Sequence, residues 1–204
     1  MNNPTSLKLR RTGKLRVTNE KKSTTNTGYL VLAAGLVLIA ALARLLPHPP
    51  NFAPIGAIAL FGGARLGRWW GLTITLGAML LSDTFIGFHS GMWYVYAAFT
   101  LTHFIGRSFA SAVTAPNIIG GSLLASTVFF LITNFGVWAE GLWLPTHMYP
   151  LTADGLVTSY VMGIPFFGAT LVSDLLYSGT LFGAHALVQL KFKLVSSNQL
   201  PVGR

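Results

Sequence analysis

Two of the five acidic residues in this 204-residue chain end the same phrase, and both phrases lie in strongly apolar sequence. Gly77-Ala78-Met79-Leu80-Leu81-Ser82-Asp83 and Gly168-Ala169-Thr170-Leu171-Val172-Ser173-Asp174 share Gly-Ala-x-Leu-x-Ser-Asp. An ionisable group at membrane depth costs several kcal/mol or forces a partner, which makes it a functional-site candidate by default. The pair therefore requires a fold that keeps a polar pocket or a polar clamp inside an apolar body.

The rest of the chain fixes what that body is. It is 52% hydrophobic and 9% charged, with no cysteine, and its mean hydropathy is +0.58. Those values place it outside ordinary soluble domains and among polytopic membrane proteins. The absence of cysteine removes disulfides, thiol nucleophiles and Cys-ligated metals. The net charge of +9 does not point to nucleic acid, because the basic residues gather at segment ends rather than on one soluble face. Three regions follow: a basic cytoplasmic tail over 1–28 with disorder-like composition, a transmembrane domain over 29–190, and a short cytoplasmic tail over 191–204. A Ser/Thr-rich basic tail also suits an organelle transit peptide, whereas attraction to anionic lipid is the simpler reading.

A span needs roughly 20 apolar residues. Tyr29–Leu46 is the first candidate, ended by Pro47-His48-Pro49-Pro50. Pro54–Ala64 is short and glycine-rich, Trp69–Ile86 carries Asp83, Met92–Ala110 opens with an aromatic cluster, and Ile118–Ala139 is the fifth. Residues 140–157 form the longest loop. Thr158–Val188 is too long for one straight span, and Pro165 is expected to break it. The chain thus reads as an all-α membrane protein with six transmembrane helices. With both termini inside, thirteen of the fourteen basic residues lie on the inner side and Arg44 alone lies toward the outer side. A re-entrant second span would reverse that parity.

This topology sets depth. Asp83 lies close to Gly87 at the outer end of its span, and Asp174 is about 13 Å past Pro165 along a helix. Asn134 falls in the same outer layer, where loops add Asn51, His89, Glu140, Trp143, His147 and Asp154. A cavity open to the outside accounts for the concentration. The acids bind a solute or ion there, or they clamp helices while Ser82 and Ser173 cap local backbone. Neither sits in the Tyr-Asp or Gly-x-Gly-Asp setting of an intramembrane aspartyl protease, and no nucleophile–base pair suggests an enzyme. The five histidines form no metal-binding spacing, and no nucleotide-binding motif occurs, so no cofactor is expected. Pro49-Pro50-Asn51-Phe52-Ala53-Pro54 is a rigid turn suited to a lid or a plain connector. Ala59-x-x-x-Gly63 gives the second span a small-residue face for packing internally or against a partner. The two Gly-Ala-x-Leu-x-Ser-Asp copies allow an inverted three-plus-three repeat.

The runs Pro49 to Ala64 and Leu80-Leu81-Ser82-Asp83-Thr84-Phe85-Ile86-Gly87-Phe88-His89 resemble a family of small bacterial membrane proteins. Asn134-Phe135-Gly136-Val137-Trp138, Ile164-Pro165-Phe166-Phe167 and Ser173-Asp174 fit the same family. That family in turn resembles the substrate-binding S components of energy-coupling factor (ECF) transporters. The resemblance implies an S-component-like six-helix bundle in the bacterial inner membrane that binds a vitamin-, nucleobase- or cation-like solute from outside. Its partners would be the lipid bilayer, a T subunit and paired ATPases. S components often meet the T subunit through Ala-x-x-x-Ala in the first helix, and that spacing is missing between Tyr29 and Leu46. On this reading Asp83, Asn134 and Asp174 orient the solute, His89 contacts it, Trp93, Trp138 and Trp143 stack on it, and Asn51-Phe52 close over it. A stand-alone proton- or cation-coupled transporter and a ligand-free assembly protein are the alternatives.

Overall fold

The computed structural model describes residue 35, residues 38–47 and residues 49–197, with side chains through Lys191. The basic tail, the start of the first span, His48 and the end of the C-terminal tail lie outside the described residues. The contacts divide the chain after Leu36, and the helical bundle is the unit beyond it. Among the described residues there are helices and no strands: α1 (residues 38–45), α2 (Ile55–Phe61), α3 (Trp70–Ile86), α4 (Met92–Ser108), α5 (Ala115–Ala139) and α6 (Ala153–Ser197). A π-helical turn, Gly62–Leu66, extends α2, and a short 3-10 turn, Glu140–Leu142, comes after α5.

The helix ends follow from residue type. Gly67 and Gly87 take positive φ of 88° and 101°, a conformation open to glycine at little cost, and they stop the π turn and α3. Thr114 caps α5 by accepting a bond from the Asn117 N–H, and Pro116 sits in the first turn, where a missing N–H does no harm. One expectation is corrected at α6. Pro165 lies inside a continuous helix of 45 residues rather than at a break. Ties to α5 hold the helix on both sides of the proline: Ser159 Oγ donates to the Asn134 carbonyl and Tyr160 OH to the Leu131 carbonyl, and further along Ser126 Oγ donates to Asp174. The same pairs show α5 and α6 antiparallel. The loop between them is accordingly shorter than expected, since the 3-10 turn closes its start and α6 begins at Ala153.

The short helix α2 is the centre of the bundle. All seven of its residues are buried, and it packs against α3, α4, α5 and α6. Its small-residue face packs internally. Gly63 meets the His103 carbonyl, Gly106 of α4 meets the Leu60 carbonyl, and Gly62 meets Gly71 at the start of α3, leaving no space for a Cβ at any of these four glycines. Leu60, Phe61, Ala64, Ala125 and Phe182 form an apolar cluster at this end, with Phe61 edge-on to Phe182 at 5.1 Å.

The distribution of polarity is inverted relative to a soluble bundle. Thr75, Ser82, Asp83, Thr102, His103, Ser122, Ser126, Ser173, Asp174 and Ser178 are buried, whereas Leu123, Leu124 and Leu131 of α5 and Val161, Ile164, Val172 and Leu176 of α6 are exposed. Residues Ala115–Leu142 and Ala153–Lys191 are long and apolar enough to cross a membrane.

The packing separates the glycines into two classes. Gly63→Ala and Gly106→Ala force backbone against backbone and are expected to lose about 1–3 kcal/mol or more. Gly77→Ala and Gly168→Ala, whose added Cβ meets nothing within 4 Å, are expected to be neutral or to gain about 0.4–1 kcal/mol. Thermal unfolding of the four purified variants checks this, and equal losses in both pairs would refute the packing account.

Candidate functional site

The two acids of the repeated phrase have different surroundings. Asp83, in the last turn of α3, is 1% exposed. Its Oδ1 accepts from Arg44 Nη2 at 2.8 Å and its Oδ2 from Tyr96 OH at 2.8 Å, while Arg44 Nη1 reaches the Met79 carbonyl at 3.3 Å. One carboxylate thereby joins α1, α3 and α4, and its charge is balanced. This is the clamp arrangement, with a cation beside the neutral Tyr96 partner.

Asp174 lies on α6 against α2 and α5. Its Oδ2 accepts from Ser126 Oγ at 2.7 Å, and its carboxylate lies directly against Gly56, where a Cβ would overlap Oδ1. Among the described residues the ion pair is Arg44–Asp83, and no cation reaches Asp174. The preceding serines differ too. Ser82 Oγ bonds the local Met79 carbonyl at 2.8 Å, whereas Ser173 Oγ reaches the Ala53 carbonyl, 120 residues away, at 2.9 Å and so anchors the proline turn to α6.

Two adjoining cavities open here, the first of them beside Asp174. One, of about 310 Å³, is lined by Arg44, Asn51, Ala53, Gly56, His89, Phe99 and Asp174 among others. The other, of about 360 Å³, is lined by Asn51, Asn134, Tyr149, Phe166 and Phe167 among others. They share Asn51, Val95, Phe129 and Thr170. Each volume suits a small organic molecule, and a mostly apolar lining with a few convergent polar groups is the usual composition of such sites. Asn51 takes φ 60°, a left-handed conformation that asparagine tolerates better than most side chains. The Asn134 Nδ2 bonds the Phe130 carbonyl at 2.8 Å, and its Oδ1 faces Gly163, which has no room for a Cβ.

The structure thus brings Asn51, His89, Asn134 and Asp174 to one cavity system. Asp83 lies outside the lining, behind Arg44. Phe52 meets Tyr177 of α6 in a tilted ring contact, with centroids 5.9 Å apart. Trp138 Nε1 donates to the Pro150 and Thr152 carbonyls at 3.1 and 3.2 Å and fastens the loop before α6. Trp93 and Trp143 line a separate hollow with Phe135 and Leu142, and Trp93 is 83% exposed. Glu140 accepts from Ser90 Oγ and Tyr94 OH at 2.6 and 3.1 Å, tying the turn before α4 to the end of α5.

Arg44 was not among the expected site residues, although it both lines the cavity and balances Asp83. The sequence did carry its signal, since in the expected six-span topology Arg44 is the one basic residue that departs from the inner-side distribution. An arginine at an apolar helix end, on the side where the acids gather, calls for a carboxylate partner.

Arg44→Met leaves a buried carboxylate without its cation and is expected to lose about 3–5 kcal/mol, with most of that recovered in Arg44→Met/Asp83→Asn. Unfolding of the single and double variants measures the coupling. Additive losses would mean that the pair does not act as a unit.

No curated protein and no solved structure matches the chain. None of these comparisons brings in an S component. Residues 23–198 match the family described as "Family of unknown function (DUF6580)", and the chain belongs to that family.

Proposed function

We propose that this protein is a multi-pass protein of the bacterial inner membrane, S-component-like in plan, that binds a small solute from outside as a binding and transport subunit. The observation that carries the reading is the cavity system beside Asp174, enclosed in a bundle whose exterior is apolar. Extended apolar surface of this kind is rare on soluble monomers and suits contact with lipid. The chain crosses the membrane six times, in the order α1 to α6, with both termini inside, and the second crossing is helical only in part. The short α2 and its π turn, twelve residues from Ile55 to Leu66 and about 18 Å long, do not reach across a hydrocarbon core of about 30 Å. Because α2 is surrounded by protein it never meets lipid, and non-helical backbone at membrane depth is tolerated where it lines a cavity. Its missing turns leave the volume that Asn51 and Ala53 border.

The bound solute presents a hydrogen-bond donor or cationic group to Asp174 Oδ1 and lays a flat or apolar body along Phe129, Phe130 and Phe167. Asn51, His89 and Asn134 supply further polar contacts. Lipid surrounds the bundle, and a T subunit with ATPases would drive the solute inward. A stand-alone cation-coupled transporter is the second reading, favoured by Asp174, a buried acid with no cationic partner among the described residues.

A thermal-shift panel of vitamins, nucleobases, amino acids and divalent cations on the purified protein tests the solute reading. A stabilising compound is expected to lose about 10- to 100-fold in affinity in Asp174→Asn, which deletes a charged hydrogen bond, and to keep its affinity in Trp93→Ala. Binding that ignores Asp174→Asn would remove the acid from the site. The cysteine-free chain makes the topology measurable as well. Met148→Cys is expected to react with an impermeant maleimide in intact cells, and Ala112→Cys only after permeabilisation. The opposite pattern would invert the topology.

A further inference from the structure

We infer that Asp174, Ser126, Ser122 and Ser178 form a binding site for a dehydrated monovalent cation of the size of sodium, between α5 and α6. Ser126 Oγ lies 2.7 Å from Asp174 Oδ2 and 3.0 Å from the Ser122 carbonyl. It has a single hydroxyl hydrogen for these two acceptors. The carbonyl also accepts the Ser126 N–H within the helix, so the single hydroxyl hydrogen is free to serve the carboxylate.

One turn along each helix, Ser122 and Ser178 occupy the same antiparallel register as the Ser126–Asp174 pair. Both are 0% exposed, and among the described residues neither hydroxyl has a hydrogen-bond partner. Other hydroxyls on these helices behave differently. Thr127, Thr133, Thr170 and Thr180 each bond the carbonyl four residues back. Ser122 and Ser178 had the same local option and do not take it.

The donor set is therefore a carboxylate without a cationic partner, three hydroxyls and a backbone carbonyl. All are hard oxygen ligands, which suit alkali and alkaline-earth ions rather than zinc or copper. A single negative charge balances a monovalent ion. The full burial of Ser122 and Ser178 favours an ion stripped of its water. Asp83 takes no part, because Arg44 already neutralises it. This site accounts for two orphaned hydroxyls and one unbalanced carboxylate together.

Purified full-length protein in detergent is melted in sodium chloride and in choline chloride of equal ionic strength, with no solute present. Sodium at about 100 times its dissociation constant is expected to raise the midpoint by about 5–10 °C. Asp174→Asn is expected to abolish that rise. Ser122→Ala and Ser178→Ala remove no existing bond, so in choline both are expected to melt at or above the wild-type midpoint, and in sodium both are expected to show a smaller rise. They keep the test decisive if Asp174→Asn does not fold. No sodium-specific rise in the wild type, or a rise of the same size in both serine variants, overturns the site. Lower midpoints for the serine variants in choline without a sodium effect also overturn it and assign the hydroxyls to internal water. The outcome is separate from the solute reading. A null solute panel beside a sodium rise defeats only that reading, and a solute hit without a sodium rise defeats only the cation site.

Discussion

Backbone contact around α2 is the constraint on which the rest of the bundle depends. A helix with every residue buried is wrapped by its neighbours on all sides, and here they approach until main chain meets main chain. Gly63 against the His103 carbonyl and Gly106 against the Leu60 carbonyl set the α2–α4 separation, and Gly62 against Gly71 sets α3. On the proposed membrane reading there is no strong hydrophobic drive between helices, and close van der Waals packing of this kind would supply much of the association. It also places Gly56 beside Asp174, so the position of the acid is a consequence of how tightly α2 is held.

The two copies of Gly-Ala-x-Leu-x-Ser-Asp show how similar sequence can be put to different use. Both serines and both acids are buried, and both leading glycines face open space. The difference comes from the opposite helix: α1 presents Arg44 to Asp83, and α5 presents Ser126 to Asp174. One acid is locked with its charge balanced; the other has no cation beside it among the described residues and borders the cavity. An acid inside an apolar run announces that a partner is needed, but which partner arrives depends on helix packing, a long-range property that the run does not encode.

Much of the helical plan was legible because it rests on local chemistry. The starts and stops of α3, α4 and α5 lie within a few residues of the apolar blocks, where Gly87, Gly91 and the Thr114–Pro116 cap mark them. Pro165 misled for a physical reason: a proline removes one backbone bond, and whether the helix breaks depends on side-chain ties such as Ser159–Asn134 that only the folded neighbour supplies. The cavity was half legible. Asn51, His89, Asn134 and Asp174 came from depth and polarity and do meet there. The tryptophans were grouped with them on residue type alone, and the direction each ring faces is a matter of helix rotation, which the weakly periodic apolar sequence does not specify.

The burial of α2 also sets an order of events in synthesis. At about 5–20 residues per second, the serine that fastens the proline turn, Ser173, comes 120 residues after Ala53 and so about 6–24 s later. Within that interval α2 is made first, α4 covers one side of it about 55 residues after Ala53, and α6 comes last. Arg44 waits for Asp83 in the same way, over a gap of 39 residues. The nascent chain therefore pairs its guanidinium early but holds part of its central helix open until late in translation, and the cavity comes into being only when the last helix arrives.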